Sequence, residues 1–150
     1  AQGHIEKTPG DEVDGSYIRE RIIGLADQFD IEEVAFDPWN ATHFIQSLVD
    51  AGMPHDAMVK FGQTYSNYNE PFKKLIQLVD YRKLDHGSNP VLEWMAGNCA
   101  ARTDPSGNIR PDKAKSADKI DGICALLMGL ARAIRSADSV YDEHAEFTVI

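Results

Sequence analysis

Three observations in the sequence predict an α/β fold for this chain of 150 residues. Two short apolar runs, at 31–36 and 56–61, have the length and side-chain pattern of β-strands. The segments around them carry apolar residues at the spacing of amphipathic helices. The order helix, strand, helix, strand and then further helices is typical of α/β proteins with at least one right-handed crossover. Two strands make too small a sheet, so further strands must come from the first residues, from a hairpin, or from sequence that is absent.

Length and composition restrict the class of protein further. The chain is long enough for one domain over residues 1–150 and too short for two comfortable ones. No apolar run approaches the roughly 20 residues that a membrane span needs, so no membrane partner is expected. The N-terminus AQGHIEKTPG lacks the regions of a signal peptide, and its missing initiator Met indicates a trimmed or excised fragment. Cys99 and Cys124 lack metal-like spacing and are expected to be reduced thiols in a cytoplasmic protein.

The charge is unevenly distributed along the chain. A net charge of -9 argues against a general nucleic-acid coat, since phosphate binding normally needs a cationic surface. Five cationic residues and three aspartates between 102 and 119 nevertheless give that segment a charge of +2, which leaves -11 for the remainder. A second basic group lies at 73–83. Charge alone leaves two interpretations open: solvated surface, or a phosphate-binding face.

The first helix is predicted from Asp14, a suitable N-cap, through the apolar positions of 18–29. A short strand should then end at Asp37 in the stretch EVAFDPWN. Asp37 is either an ordinary turn-forming residue before Pro38 or a functional carboxylate at the carboxyl end of a buried strand. Asn40 is expected to cap the next helix, and Trp39 is expected to pack on Phe44 as a hydrophobic staple.

Three further elements are predicted before the last helix. A polar loop after the second strand leads to a helix with Phe72, Leu75 and Val79 on one face. Asn89 and Pro90 are the cap and first residue of another helix. Residues 99–112 indicate a hairpin that turns at the sequence DPSG.

The last helix is predicted over 117–136, and it is apolar almost all round, so it should be buried on most sides. Asp118 and Asp121 would lie in its first turn. For Asp118 the favoured role is to complement the helix dipole. Asp121 precedes a long apolar run and should be drawn toward the core, where a carboxylate needs a partner or a metal. Gly122 costs helix stability, which indicates the close approach of another element.

Asp37 and Asp121 together suggest a metal site. A strand-end and a helix-start aspartate can converge on Mg²⁺ or Mn²⁺, which prefer oxygen ligands. Two such ions about 4 Å apart would clamp the oxygens of a phosphodiester, and the two carboxylates should then lie within about 8 Å of each other. From spacing alone, this remains the less favoured interpretation.

Five blocks of sequence change that weighting: TPGDEVD (8–14), IEEVAFDPWNA (31–41), VKFGQTYSNYNEPFKKL (59–75), DHGSNPVLEWMAGN (85–98) and DPSGNIRPDKAKSADKIDGICALLMGLARA (104–133). In this order they resemble the C-terminal nuclease domain of the large terminase subunit of tailed bacteriophages. The resemblance implies a ribonuclease H-like nuclease fold, with a mixed central sheet flanked by helices. It also implies that Asp37 and Asp121 are catalytic metal ligands, Asp121 fitting the second position better than Asp118.

The sequence departs from this family in two ways. It has no GxxxxGK[ST] phosphate loop, so the packaging ATPase domain is not part of it. The family's nuclease domain begins with further strands, the first of which carries another catalytic aspartate. No strand-borne candidate precedes the first helix, so the domain is expected to be truncated at its N-terminus and could be inactive alone.

The resemblance implies a metal-dependent endonuclease domain that cuts concatemeric viral DNA during genome packaging in the host bacterial cytoplasm. Its expected partners are double-stranded DNA, the portal protein and the small terminase subunit, and its expected cofactors are two Mg²⁺ or Mn²⁺ ions. The alternative is a non-catalytic interaction module that docks the packaging motor onto the portal or the small subunit. The acidic surface and the missing first aspartate support that alternative.

Several residues carry weaker expectations. Lys113, Lys115 and Arg110 could hold DNA phosphates, although a solvated loop is about as good an explanation. His86 lies in a loop and could approach phosphate or metal. The remaining candidates are the two tryptophans, expected in the core, and a DNA-facing rim after the second strand: Trp39, Trp94, Gln63, Tyr65 and Asn67.

Overall fold

A computed structural model describes residues 3–11, 14–137 and 147–149. Five α-helices lie in this part of the chain: α1 (Gly15–Ala26), α2 (Thr42–Asp50), α3 (Tyr65–Asp80), α4 (Pro90–Asn98) and α5 (Asp121–Ala137). Six short strands accompany them: β1 (Val34–Phe36), β2 (Met58–Lys60), β3 (Leu84–Asp85), β4 (Ala101–Thr103), β5 (Ile109–Pro111) and β6 (Phe147–Thr148). None of the described helices is long and apolar enough to cross a membrane.

The chain divides into two compact units. Residues 5–62 form the N-terminal unit, and residues 63–150 together with 1–4 form the C-terminal unit. The expectation of a single domain over 1–150 stays a prediction.

The N-terminal unit is built on a parallel strand pair. Strand β1 pairs with β2, and helix α2 lies between them in the chain. The backbone N–H of Phe61 extends the ladder by donating to the Phe36 carbonyl at 2.8 Å. Leu48 of α2 is fully buried, and Met53, Ala57 and Phe61 are buried as well. This pairing confirms that both predicted strands exist and that β1 ends immediately before Asp37.

The start of α2 differs from the prediction. The N-cap is Ala41, whose side chain makes no capping bond, and Asn40 adopts a left-handed backbone with φ of 56°. The Asp37 carboxylate accepts a hydrogen bond from the Trp39 backbone N–H at 3.0 Å. That bond forms a local turn of the kind aspartate favours, so the helix begins only at Thr42. The Trp39 side chain is 85% exposed, so the expected staple and core position are wrong.

In the C-terminal unit, helix α5 packs against α3 and α4, and the β4–β5 hairpin packs against α3. Leu78 of α3 forms a buried cluster with Leu130 and Ile134 of α5. The predicted cap of α4 is confirmed, because the Asn89 side chain accepts hydrogen bonds from the N–H groups of residues 91 and 92. Trp94 of α4 is 47% exposed, so its expected core position is wrong.

The predicted hairpin is confirmed. Strands β4 and β5 are antiparallel, with Arg102 opposite Arg110. At the turn, the Gly107 N–H donates to the Asp104 carbonyl at 3.0 Å, and Gly107 has a φ of 80° that favours glycine. The Asp104 carboxylate accepts hydrogen bonds from the N–H groups of Ser106 and Asn108. Side chain and backbone therefore fix the turn together.

Helix α5 begins later, and is buried less completely, than predicted. The Ser116 hydroxyl accepts from the Ala100 N–H at 3.0 Å, and the Ala117 N–H donates to the Asn98 carbonyl. These bonds tie 116–117 to the region between α4 and β4, so the helix starts at Asp121 and Asp118 precedes it. Ala125 and Gly129 are exposed, so α5 has one solvent-facing side.

The described strands form three two-stranded ladders: β1–β2, β3–β6 and β4–β5. The pairing of β3 with β6 is parallel and joins Leu84 to residue 147. The hairpin does supply additional strands, as expected, but they pair with each other.

Candidate active site

Asp37 occupies the position predicted for it. It follows the last residue of β1 at the carboxyl end of a parallel strand pair, and it is half-buried. Strand β1 is only three residues long, and the turn to Trp39 fixes where it stops. The carboxylate therefore has a structural partner in its own loop, and it stands where α/β folds commonly place ligand-binding groups.

Asp121 opens helix α5, but it does not turn toward the core. Its side chain is 65% exposed, whereas Ile123, Cys124 and Leu127 are buried. An α-helix advances about 100° per residue, so Asp121 shares its face with exposed Ala125, four residues later. Most of the apolar residues that follow Asp121 are consequently buried, while the Asp121 carboxylate stays in solvent.

A lysine from the preceding loop compensates the Asp121 charge. The Lys113 ammonium donates a hydrogen bond to Asp121 Oδ1 at 2.7 Å. This bond lowers the pKa of the Asp121 carboxyl below its ordinary value, while partial burial opposes the shift without cancelling it. Asp121 is therefore a carboxylate at neutral pH, which is the form that binds cations.

The Asp121 carboxylate lies at the edge of an open cavity of about 380 Å³. Six residues line the cavity: Lys113, Ser116, Asp118, Lys119, Ile120 and Asp121. Exposed Asp118 accepts a hydrogen bond from the Lys119 backbone N–H at 2.8 Å. The structure thus brings Asp118, Asp121 and Lys113 to one polar recess.

The close approach expected at Gly122 is confirmed. A Cβ atom at this position would lie 2.7 Å from Met95 Sδ of α4, inside any normal contact distance. The Gly122 N–H donates to the same sulfur at 3.1 Å. Glycine therefore allows α4 to approach the first turn of α5 and holds the start of the helix beside Asp121.

The donor chemistry at Asp121 fits a hard divalent cation, because an exposed, ionised carboxylate is an oxygen ligand of the type Mg²⁺ and Mn²⁺ prefer. The Lys113 ammonium already holds one of its oxygens, so a metal would have to displace or share that contact. Over residues 3–11, 14–137 and 147–149, no group of three or more His, Cys, Asp and Glu side chains is arranged to hold a metal. The expected separation between Asp37 and Asp121 stays a prediction.

The other candidate residues have different surroundings. Lys115 is exposed in the loop that carries Lys113. Half-buried His86 lies outside the Asp121 cavity and has its Nε2 atom 3.9 Å from Glu93 Oε1. Arg110 of β5 is half-buried, and its Nη1 donates to the Gln63 carbonyl at 2.9 Å.

One cluster of side chains was not predicted from the sequence. The guanidinium carbons of Arg110 and Arg102 lie 4.8 Å and 5.9 Å from the centre of the Tyr65 ring. The predicted turn at DPSG could have indicated the arginine pair, because a hairpin centred there places residue 102 opposite residue 110. No local signal brings Tyr65, 45 positions from Arg110, to the same place.

The helices and short strand pairs define an α/β protein. Similarity to a solved large terminase confirms the predicted ribonuclease H-like class. The structure is similar to the crystal structure of the HK97 bacteriophage large terminase, with a TM-score of 0.79 and 30% identity. That match covers 87% of this chain and 27% of the terminase chain.

A sequence profile described as "Terminase large subunit, endonuclease domain" matches residues 1–137, and the chain belongs to that family. It is 31% identical over 132 residues to the "Terminase, large subunit" of Enterobacteria phage HK97, covering 88% of this chain and 26% of that protein. It is 29% identical over 147 residues to "Protein YmfN" of Escherichia coli (strain K12), covering 96% of this chain and 32% of that protein. The chain thus spans about a third or less of these relatives.

Proposed function

We propose that this chain is a metal-dependent endonuclease domain that cuts concatemeric viral DNA during phage genome packaging. Membership of the terminase endonuclease family supports the proposal most directly. The positions of the two aspartates add support: Asp37 ends a strand of a parallel pair, and Asp121 begins α5. Mg²⁺ or Mn²⁺ would be held by Asp37 and Asp121, with Asp118 as a weaker ligand.

Each residue at the proposed centre would have a separate task. Asp121 supplies an ionised oxygen ligand, and Gly122 lets α4 buttress the helix turn that carries it. Lys113 keeps that carboxylate compensated and would be available to a DNA phosphate once released. When bound, two divalent ions supply Lewis acidity for the attacking water and for the leaving oxygen of the phosphodiester.

The proposed setting follows from the same assignment. The substrate is double-stranded DNA, and the portal protein and the small terminase subunit are the partners that such a domain would meet in the host bacterial cytoplasm. This chain corresponds to about a third or less of each relative. DNA cleavage is therefore proposed for this chain. Packaging is proposed for the assembly to which it belongs.

One observation favours a second candidate, a non-catalytic module that docks the motor onto the portal or the small subunit. Asp121 is paired with Lys113 at 2.7 Å, and such a pair can serve as a surface ion pair with no further role. In this interpretation the carboxylate needs no metal, and removal of Lys113 would create no new binding capacity.

Thermal unfolding with and without Mn²⁺ distinguishes the candidates. A metal that binds only the folded state stabilises it by about 2.7 kcal/mol at one hundred times its Kd, so the Tm should rise with Mn²⁺ concentration. Asp37→Asn and Asp121→Asn should lose this response. Asp80→Asn, which removes an exposed carboxylate at the end of α3, is the matched control and should retain it.

Two further readouts complete the test. Lys113→Met should enlarge the Mn²⁺ response, because it removes a cation that competes for Asp121. Nicking of supercoiled plasmid by the chain in Mn²⁺, abolished by Asp37→Asn, would establish cleavage. If wild type shows neither a Tm shift at millimolar Mn²⁺ nor nicking, the docking module is the better account.

A further inference from the structure

Two arginines face each other across the β4–β5 hairpin. Arg102 and Arg110 are directly opposite in the antiparallel register, and the Arg102 side chain is half exposed. Like charges at directly opposed positions destabilise a strand pair. The carboxylate of buried Asp112 has its Oδ2 atom 4.0 Å from Arg102 Nε, beyond hydrogen-bond distance. The repulsion is therefore compensated only weakly.

Tyr65 gathers the two guanidinium groups at one place. Both lie over its ring, Arg110 at 4.8 Å and Arg102 at 5.9 Å from the ring centre. A cation over an aromatic face is attracted to the ring, which orients each arginine without neutralising it. The Gln63 carbonyl accepts from Arg110 Nη1 and fixes one edge of that group.

One donor of this cluster is unused. The Nε atom of Arg110 is buried and has no hydrogen-bond partner among the described residues. A buried donor without an acceptor costs free energy, so the hydrogen bonds of Arg110 are incompletely satisfied within the described part of the chain. The cluster therefore combines two like charges, an aromatic support and an unsatisfied donor, which is the arrangement expected of an anion site.

We propose that Arg102, Arg110 and Tyr65 form an arginine clamp that binds a backbone phosphate of duplex DNA. Guanidinium groups match phosphate oxygens through paired, charge-assisted hydrogen bonds, and two of them can share one phosphate. Arg102 and Arg110 lie in segment 102–119, which has a charge of +2, and exposed Lys115 of the same segment offers a second phosphate contact. The inference rests on the proposed function, because it takes DNA as the ligand, but it does not require a metal.

The clamp is tested by duplex binding in EDTA, where no cleavage can occur. The probe is a fluorescein-labelled 30-base-pair DNA, and anisotropy is measured at several salt concentrations. Arg102→Gln should weaken binding by about tenfold at low salt, as expected for a lost charge-assisted hydrogen bond. It should also reduce the slope of log K against log salt by about 0.9 for the lost phosphate contact. The control Arg135→Gln removes an exposed arginine of α5 and should change neither quantity.

Stability and the tyrosine provide readouts that a merely structural role would not give. Arg102→Gln relieves cross-strand repulsion, so its Tm at low salt should equal or exceed that of wild type. Tyr65→Phe keeps the aromatic face and should keep DNA affinity, whereas Tyr65→Leu should lose it in parallel with Arg102→Gln. A lower Tm for Arg102→Gln, with unchanged DNA affinity, would show that the pair only holds the hairpin.

The outcomes separate the clamp from the proposed nuclease. Duplex binding that is the same in wild type, Arg102→Gln and Arg110→Gln overturns the clamp, even if Mn²⁺-dependent nicking is observed. No measurable duplex binding by wild type overturns it as well. Loss of binding in the two arginine variants supports the clamp even if nicking is absent, in which case the nuclease assignment fails alone.

Discussion

Helices α1 and α5 are both predicted from apolar residues at helical spacing, yet the structure buries them very differently. Helix α1 has no buried residue, and Ile18 is 45% exposed. On α5, Leu127 is fully buried, with six more buried residues: Ile123, Cys124, Met128, Leu130, Ala131 and Ile134. The difference lies in the neighbours, since α5 packs against α3 and α4, whereas α1 packs against α2 in its own small unit.

The two helices also begin differently. Asp14 caps α1 by accepting from a backbone N–H two residues later, which is a purely local contact. Asp121 opens α5 with a lysine from the preceding loop on its carboxylate. An amphipathic pattern therefore indicates that a helix forms, while the number of packed partners decides how much stability it contributes and what surrounds its first turn.

The largest expected effect tests this difference in burial. Leu127→Ala should cost about 2–5 kcal/mol of unfolding free energy, because it empties a fully buried site. Ile22→Ala in α1 removes a half-buried side chain and should cost about 1 kcal/mol. Urea titration of both variants measures the two losses. Equal losses would contradict the view that α5 carries the core and α1 does not.

A smaller effect, with opposite signs, is expected for glycine substitutions in the same two helices. Gly122→Ala places a methyl group against Met95, and such overpacking costs about 1–3 kcal/mol of stability. The better helix propensity of alanine returns about 1 kcal/mol, so the net effect should be destabilising. Gly24→Ala in α1 meets nothing within 4 Å and should stabilise the protein by about 0.5–1 kcal/mol.

Thermal denaturation gives the sign of each glycine change. A Met95→Ala background should remove the clash and make Gly122→Ala stabilising. If Gly122→Ala is already stabilising with Met95 present, then the methionine side chain moves aside without cost, and the close approach does not hold the helix start.

The smallest effect concerns two carboxylates that accept hydrogen bonds from nearby residues, one in each unit: exposed Asp14 and half-buried Asp104. Hydrogen bonds from Asn108 lower the pKa of Asp104, the side-chain bond being the largest cause, whereas the Ser16 backbone N–H is the largest cause for Asp14. Asn108→Ala should therefore raise the pKa of Asp104 toward its ordinary value. Ser16→Ala should leave most of the shift at Asp14, because the backbone donor remains.

The sign of the pH dependence follows from these lowered values. Each carboxylate stabilises the folded state fully above its ordinary pKa, and this contribution is lost as the pH falls through the lower folded-state value, below about pH 4. Carbon-detected NMR titration of the aspartates measures both shifts. If the pKa of Asp104 is unchanged in the Asn108→Ala variant, then the backbone of the turn alone sets that pKa.

The sequence by itself determined the features that depend on a few neighbouring residues. The cap at Asn89, the cap at Asp14 and the turn from Asp104 to Gly107 form between residues two to four positions apart, so residue type and spacing suffice. The same holds for the end of β1 at Asp37, where a short apolar run meets an aspartate and a proline. The resemblance added the family and thereby the fold.

Only the tertiary structure decided the surroundings of the candidate site residues. It delayed the start of α5 by tying residues 116–117 elsewhere, and it left Asp121 in solvent beside Lys113. It also exposed Trp39 and placed Tyr65 beneath arginines far along the chain. These outcomes depend on which segments meet, and apolar periodicity says that a face is buried without saying against what. The physical reason is that contacts between distant residues are selected by packing of the whole unit, which no local pattern records.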